Sequence, residues 1–350
     1  MLSRRLLTND VRRTAFDTVV LNSNNLSHVR QQVRSNSSMA AENVTSPAFV
    51  ASSDPAKSTP PLSNPFELGL KKPEFKKLEA TRPEFQTAAP VEVSQTPDIA
   101  WKYGQGVNTS LNGLHKHVEI DPYGPDRQMF QNYKLLISSM PRPISFVSTV
   151  SKDGERNLAP FSYFQVVDHD PPIFVIGFSG RASQPKDTRR NLEETGECVI
   201  SVVTENMIEA VNATSVDIPH GASEWEVSGL SELPSATVKP KRVAEALFSV
   251  EGKVLEIKEL DYGGEKKSKG KPSGALAIIR GTRFWVRGDA LKGDDVDLEV
   301  LRPLVQLGSI SYGRVRETFE LPRPKLAEEL EDKGNGLNTI LAAQKAGQSC

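Results

Sequence analysis

The residues best suited to chemistry cluster in the middle of the chain, and one group forms a candidate anion site. Ser183 and Lys186 come just before a segment that reads as a helix. The first backbone amides of a helix have no partner within it, and its dipole favours negative charge at that end. Lys186 adds a cation and Thr188 a hydroxyl, and Arg189 or Arg190 adds a second cation if it faces the same way. This arrangement indicates a phosphate site.

A second group of residues suits a flat ring with a polar edge. Ser148, Thr149 and Ser162 offer hydroxyls and backbone amides. Ala159 and Pro160 are small or rigid residues in a predicted strand, so the backbone there can approach a ring closely. A ligand with an apolar ring and a phosphate needs close approach, edge hydrogen bonds and an anion trap. This part of the chain contains all three.

Several of these residues also have purely structural interpretations, which the sequence leaves open. Asp187-Thr188 is an ordinary pair of helix-capping residues, and Asn157 can close a hairpin. Arg142 lies between two prolines that favour extended backbone. It is therefore either a ligand contact or a surface ion-pair partner.

Other kinds of site find little support in the sequence. Ser162 lacks the Gly-x-Ser-x-Gly pattern of a hydrolase nucleophile, and Cys198 lies in an apolar run where a thiol is inert. His115 and His117 share one face of any strand, but a pair alone does not complete a metal-ligand set. We predict neither a catalytic side chain nor a metal site.

Short strands are the elements that must position these residues. From Tyr133 onward, apolar runs alternate with turn residues, which is typical of a β-barrel or sandwich. We predict strands at 143–150, 157–167, 173–179, 198–204, 247–258, 275–287 and 305–311. Asp153-Gly154 between the first two predicts an antiparallel hairpin with a type I′ turn.

Helices are predicted at three places. The first spans 187–195, with Asp187 or Thr188 as its cap and Gly196 just past its end. The second spans roughly 205–214. A charged amphipathic helix is predicted at 326–346, outside the strand-rich region.

Residues 1–98 read as a leader without a packed core. Six arginines and two aspartates in the first 40 residues are typical of a mitochondrial presequence. The alternatives are a disordered cytosolic tail or a start at Met39, so cytoplasmic and mitochondrial locations both stay open. The Pro-, Ser-, Thr- and Ala-rich stretch 43–97 buries too little surface to fold. We expect order to begin near Ile99, with 101–104 as an arm packed on the domain.

Composition excludes some classes of partner. Lys plus Arg total 43 and Asp plus Glu 44, for a net charge of -1, so no global basic field attracts nucleic acid or anionic lipid. No run of 18 apolar residues predicts a transmembrane helix. Two cysteines are too few for a disulfide framework and suit a reducing compartment.

The order of the motifs resembles one protein family closely. The motifs are Met140-Pro141-Arg142-Pro143-Ile144, Asn157-Leu158-Ala159-Pro160-Phe161-Ser162-Tyr163-Phe164, Asp170-Pro171-Pro172, and Lys186-Asp187-Thr188 with Asn191 three residues on. This succession is similar to that of the flavin reductase-like FMN-binding split barrels, which include flavoredoxins and the reductase partners of two-component monooxygenases. The likeness extends from Tyr133 to Tyr312.

The resemblance implies a mainly β fold, a split β-barrel with a few short helices, as a flavin domain at 99–325 followed by a helical or disordered tail at 326–350. It implies FMN as cofactor, with FAD as the alternative. The predicted cofactor-binding residues are Arg142, Ser148, Thr149, Asn157, Ala159, Pro160, Phe161, Ser162, Phe164, Ser183, Lys186, Asp187, Thr188 and Asn191.

The function implied is that of an NAD(P)H-dependent flavin reductase. NADH or NADPH is expected to bind in a shallow cleft built by a homodimer, and an oxygenase or another electron acceptor is the expected partner. The alternative is a flavin-holding electron carrier without nicotinamide activity of its own.

Overall fold

This computed structural model describes residues 72–87, 89–107, 117–180, 185–216, 218, 222–260 and 274–347. The strands are β1 (Glu92–Ser94), β2 (Arg142–Pro143), β3 (Ser145–Val150), β4 (Arg156–Phe161), β5 (Phe164–His169), β6 (Pro172–Phe178), β7 (Glu197–Val202), β8 (Glu232–Leu233), β9 (Arg242–Val243), β10 (Phe248–Leu260), β11 (Gly274–Val286), β12 (Leu291–Lys292), β13 (Asp295–Val296), β14 (Leu304–Leu307), β15 (Ser311–Arg314) and β16 (Glu317–Phe319). The helices are α1 (Lys72–Glu79), α2 (Met129–Ser139), α3 (Asp187–Thr195), α4 (Ile208–Ala213), α5 (Glu224–Ser228), α6 (Leu298–Leu301), α7 (Leu326–Glu331) and α8 (Leu337–Gly347), with a 3-10 turn at Glu205–Met207.

Seven of the described strands form one antiparallel sheet in the order β4-β3-β7-β10-β11-β6-β5. Consecutive strands β4 and β5 therefore lie at opposite edges of this sheet. The chain turns a corner between them at Ser162 and Tyr163, where the predicted strand 157–167 is interrupted. Because the strand pattern continues on both sides of the corner, the sequence did not reveal the break.

The core lies on both faces of the sheet. On one face, Val147, Ile176 and Ile279 belong to a cluster that also includes Leu192 of α3. On the other face, Phe146 packs with residues that include Trp225 of α5. Since successive side chains of a strand point to opposite faces, β3 is buried on both sides, and five of its six residues are buried.

The predicted hairpin between β3 and β4 is confirmed, but its turn is different. The two strands pair antiparallel, with Thr149 opposite Asn157. Gly154 has φ 91°, whereas Asp153 is not among the residues with positive φ, so the turn is not type I′. A hydrogen bond from the Gly154 amide to the Ser151 carbonyl, 3.0 Å, closes a longer loop.

The C-terminal segment is two helices rather than one. α7 and α8 are separated by residues 332–336, where Gly336 has φ 87°. The Asn335 side chain accepts a hydrogen bond from the Leu337 amide at 3.0 Å, which starts a new helix. The aromatic arm at 101–104 contacts this segment, since the Tyr103 amide donates to the Asn335 carbonyl at 3.0 Å.

Regular structure begins before Ile99, the predicted boundary of the folded region. α1 and β1 both precede it, and β1 pairs in parallel with β16. The Glu92 amide donates to the Arg316 carbonyl at 2.7 Å. A short, exposed strand whose partner lies far along the chain leaves no local apolar pattern. The predicted presequence, His115 and residues 261–273 lie outside the described residues. Within the described residues, no helix has the length and apolar character to cross a bilayer.

A buried carboxylate in β10 organises the loop between β8 and β9. Glu251 is fully buried and accepts hydrogen bonds from the amides of Ala236 and Thr237, at 2.7 and 2.5 Å, and from the Trp285 indole at 2.6 Å. Burial by itself would raise the pKa of Glu251. The hydrogen bonds from Thr237, Ala236 and Trp285 lower the pKa by more than burial raises it, so the pKa of Glu251 lies below its ordinary value.

We predict that Glu251→Gln destabilises the protein by on the order of 3 kcal/mol, because an amide NH2 group would face donors that now meet a carboxylate. Urea denaturation at neutral pH measures the loss. Glu256→Gln, at an exposed position of the same strand, is the matched control and should leave the midpoint within experimental error. Equal midpoints for both variants would contradict this role for Glu251.

Candidate functional site

A cleft of about 260 Å³ opens beside the corner between β4 and β5. Side chains from α2, β2, β4, β6, the start of α3 and β14 converge on it. The lining residues are Tyr133, Ile137, Arg142, Pro160, Phe161, Ser162, Tyr163, Gly177, Phe178, Ser179, Pro185, Lys186, Arg189 and Gln306.

Aromatic rings form much of the cleft wall. Phe161 and Phe178 meet edge to face with their ring centroids 5.2 Å apart. Tyr133 and Tyr163 are about two-fifths exposed. Burial and the neighbouring Tyr133 raise the pKa of Tyr163, so its hydroxyl stays protonated and can donate a hydrogen bond. A wall of this kind suits a flat apolar ring.

The charge of the cleft lining has one sign. Arg142, Lys186 and Arg189 are cations, and no carboxylate lines the cleft within the described part of the chain. Arg189 is partly neutralised by Glu193 at 2.7 Å and Glu259 at 2.9 Å. The cleft therefore favours an anionic ligand over a cationic one.

Arg142 is held at the cleft by acceptors from three parts of the chain. Nη1 donates to the carbonyls of Ile137 at 2.7 Å and Met140 at 3.2 Å. Nη2 donates to the Gly308 carbonyl at 2.8 Å, and Nε to the Ser162 hydroxyl at 3.2 Å. All four acceptors are neutral, so they orient the guanidinium without neutralising it.

α3 begins at the cleft. Its predicted span is confirmed, and it ends at Gly196, whose φ of 69° is the left-handed conformation of a helix C-cap. Its N-cap is Lys186 rather than either of the two predicted residues, and the Lys186 side chain makes no capping hydrogen bond. Asp187 pairs with Arg190 instead. The side chain at the N-cap therefore does not occupy the first-turn amides, which is the arrangement that an anion site requires.

Four predicted site residues form a buried polar network and are not part of the cleft lining. Asn157 Nδ2 donates to Thr149 Oγ1 at 3.1 Å and to Thr188 Oγ1 at 2.9 Å. Asn191 Nδ2 donates to Thr149 Oγ1 at 3.0 Å. The four side chains are between 1% and 7% exposed. They join β3, β4 and α3 to one another.

The remaining predicted residues lie elsewhere. Ser148 is on the opposite face of β3 from Thr149, and its hydroxyl donates to the Lys241 carbonyl at 2.5 Å. Ala159 packs against the core, and Phe164 stacks on a neighbouring phenylalanine with ring centroids 6.0 Å apart. Ser183 lies outside the described residues.

The cleft thus brings together part of the predicted set, and flavin contact by any of these residues stays a prediction. The predicted residues that line it are Arg142, Pro160, Phe161, Ser162 and Lys186. Tyr163 and Pro185 were missed although they adjoin predicted residues. Tyr133 and Gln306 were missed because they come from distant elements and no local pattern marks them.

The structure offers little for other chemistries. Burial, with a smaller contribution from Glu197, raises the pKa of Cys198 to about 12, so its thiol is unreactive at neutral pH. Among the described residues, no three histidine, cysteine or acidic side chains gather in a way that could hold a metal ion.

A buried carboxyl lies behind the start of α3. Glu224, 9% exposed, accepts a hydrogen bond from the Leu158 amide of β4 at 3.2 Å. Burial raises the pKa of Glu224, and the charge of Asp187 adds to this effect, although hydrogen bonds and Lys186 oppose it. Because an acid with a raised pKa binds its proton more tightly in the folded state, its contribution to stability falls as pH rises.

We predict that the wild type loses stability relative to Glu224→Gln as pH rises from about 4.3, the ordinary pKa of glutamate, to the raised value. At higher pH the difference should stay constant. Urea denaturation of both proteins over this range measures it, with Glu331→Gln at an exposed helix end as control. Parallel curves for wild type and Glu224→Gln would rule out the raised pKa.

Comparisons with known proteins agree on one family. The sequence profile described as "Flavin reductase like domain" matches residues 137–305. The uncharacterized protein BH2278 of Halalkalibacterium halodurans is 39% identical over 203 residues, which cover 57% of this chain and 95% of the relative.

Two solved structures are also similar. The nitrilotriacetate monooxygenase component B of Bacillus cereus is 33% identical, with a TM-score of 0.55 over 59% of this chain and 100% of its own. The 2-nitrobenzoate 2-nitroreductase NbaA of Pseudomonas fluorescens is 25% identical, with a TM-score of 0.51 over 60% of this chain and 98% of its own.

The chain belongs to the flavin reductase-like split-barrel family. Its mainly β architecture with few helices is that of a split barrel, as predicted. Family membership indicates a flavin-binding protein with an oxidoreductase activity. The segments outside the matched region include β1, β16, α7 and α8.

Proposed function

We propose that this protein is an NAD(P)H-dependent flavin reductase with FMN as its flavin. The observation that carries the proposal is the cleft lining, which combines aromatic walls with cations and, among the described residues, has no carboxylate. A planar ring joined to a phosphate fits that combination. The similarity to a monooxygenase component B supports an oxygenase as the partner that receives reduced flavin.

Lys186 is the proposed phosphate contact. It is the N-cap of α3, where first-turn amides and the helix dipole favour an anion. Its ammonium lies 5.3 Å from the centre of the Phe161 ring, so it stands beside the aromatic wall. A phosphate at this end favours FMN over riboflavin. FAD stays the alternative, because the cleft is open.

Arg142 is the proposed contact at the polar edge of the ring. Its neutral acceptors leave its positive charge uncompensated, and Ser162 fixes its Nε. A preoriented, partly buried cation stabilises negative charge on a ligand without having to reorganise. Bound flavin supplies the hydride-accepting chemistry. The chain's own contribution is to orient the ring, hold the phosphate and keep one ring face open to nicotinamide.

A homodimer would complete the cleft. The volume of the cleft, 260 Å³, falls below the roughly 300 Å³ lower limit of typical ligand pockets. The described residues of one chain therefore do not enclose a flavin. α2 borders the cleft and exposes Phe130, Leu136 and, just past its end, Met140. Exposed apolar residues next to an incomplete pocket fit a second copy of this chain.

We expect the purified full-length protein to be yellow and its flavin absorbance to bleach when NADH or NADPH is added without oxygen. Bleaching is expected because the bound flavin accepts the hydride and keeps one ring face open to the nicotinamide. Anaerobic absorbance spectra measure this directly. A yellow protein that neither nicotinamide bleaches would instead be the electron carrier, and a protein that does not bind added FMN would refute both functions.

We predict that Lys186→Met weakens FMN binding by roughly ten- to a hundredfold, the loss of one charge-assisted contact. Riboflavin, which lacks the phosphate, should bind the variant and the wild type equally. Quenching of flavin fluorescence gives both dissociation constants. Lys292→Met, at an exposed position in a short hairpin, is the control. Equal losses for both flavins would remove the phosphate assignment.

A further inference from the structure

The buried network of Thr149, Asn157, Thr188 and Asn191 fastens α3 to the β3-β4 hairpin. Thr149 and Asn157 are paired across the two strands. Thr188 and Asn191 lie three residues apart and therefore share one face of α3. Asn157 bridges the strands and the helix, because the same Nδ2 bonds to Thr149 and to Thr188.

Attaching a helix to a sheet through buried polar side chains costs free energy. Buried polar groups lose their hydration and need full compensation. Compensation here is incomplete, since Asn191 Oδ1 is buried without a hydrogen-bond partner among the described residues. Apolar side chains of similar size would pack the same interface without that cost. Apolar contacts, however, have no preferred direction, whereas hydrogen bonds fix the position of the helix along and around its axis.

The network connects the two elements that carry the walls of the cleft, α3 and β4. Thr188 is two residues from Lys186, which lines the cleft at the start of α3. On β4, Asn157, Ala159 and Phe161 point to the same face because side chains alternate along a strand. Asn157 meets α3 at one end of this row, and Phe161 forms the aromatic wall at the other.

We infer that these four side chains are positioning residues that hold the anion-binding start of α3 in register with the aromatic wall of β4. They do not themselves touch the flavin. This inference rests on the proposed function, since it takes FMN as the ligand whose ring and phosphate must be held a set distance apart. Discrimination between FMN and riboflavin is the property that the network would control.

The test is the ratio of riboflavin to FMN dissociation constants in Thr188→Val, which removes a hydroxyl and keeps nearly the same shape. We expect FMN to bind about tenfold more weakly and riboflavin to bind within about twofold of wild type. Thr149→Val should have the same effect from the strand side, and serves if the first variant does not fold. Thr188→Ser keeps the hydroxyl and should restore the ratio.

Thr214→Val is the matched control, because Thr214 is also buried, at 4% exposed, and among the described residues its hydroxyl bonds to the Val211 carbonyl in α4 and not to the network. Its ratio should equal that of wild type. Equal weakening of both flavins, or an unchanged ratio in Thr188→Val and Thr149→Val, would overturn the inference. So would an effect of Thr188→Val without one of Thr149→Val, which indicates direct phosphate contact. If the wild type does not prefer FMN, the FMN assignment fails and the inference fails with it.

Discussion

The position of β4 and β5 at opposite edges of one sheet is the constraint on which the site depends. These strands are consecutive in the chain, so the backbone must turn sharply at Ser162 and Tyr163. At that corner, backbone and side chains leave the sheet and become accessible. The Tyr163 carbonyl accepts a hydrogen bond from the Gly177 amide at 2.7 Å, which ties the corner to β6. Residues on both sides of this hydrogen bond line the cleft, namely Ser162 and Tyr163 at the corner and Gly177 of β6.

Two rigid attachments then give the cleft its chemical character. Arg142 joins the end of α2, the corner and the turn after β14 through neutral acceptors, so a positive charge is fixed on one side. On the other side, α3 brings Lys186 and its first-turn amides to the opening, and the N-cap side chain does not bond to those amides. Such a site binds and orients, which is what a protein requires when its cofactor carries the reaction.

Residues outside the family region add structure of their own. β1 and β16 pair with each other, and the arm at 101–104 contacts the segment between α7 and α8. Arg314 also connects the barrel to the N-terminal segment, since it bonds to Glu205 at 2.5 and 2.6 Å and to the Gln86 carbonyl at 2.9 Å. Apart from the Arg314–Glu205 pair, these contacts join chain segments more than 200 residues apart.

The sequence by itself determined the strand-rich class, the span of α3 with its glycine end, and the family, because these follow from local patterns and ordered motifs. Only the tertiary structure decided which predicted residues face a ligand. β3 is buried on both faces, so its apolar pattern does not distinguish Ser148, which faces away, from Thr149, which joins the buried network. Tyr133 and Gln306 reach the cleft from distant elements, and contacts of that range have no local signature. The pairing of β1 with β16 was hidden for the same reason.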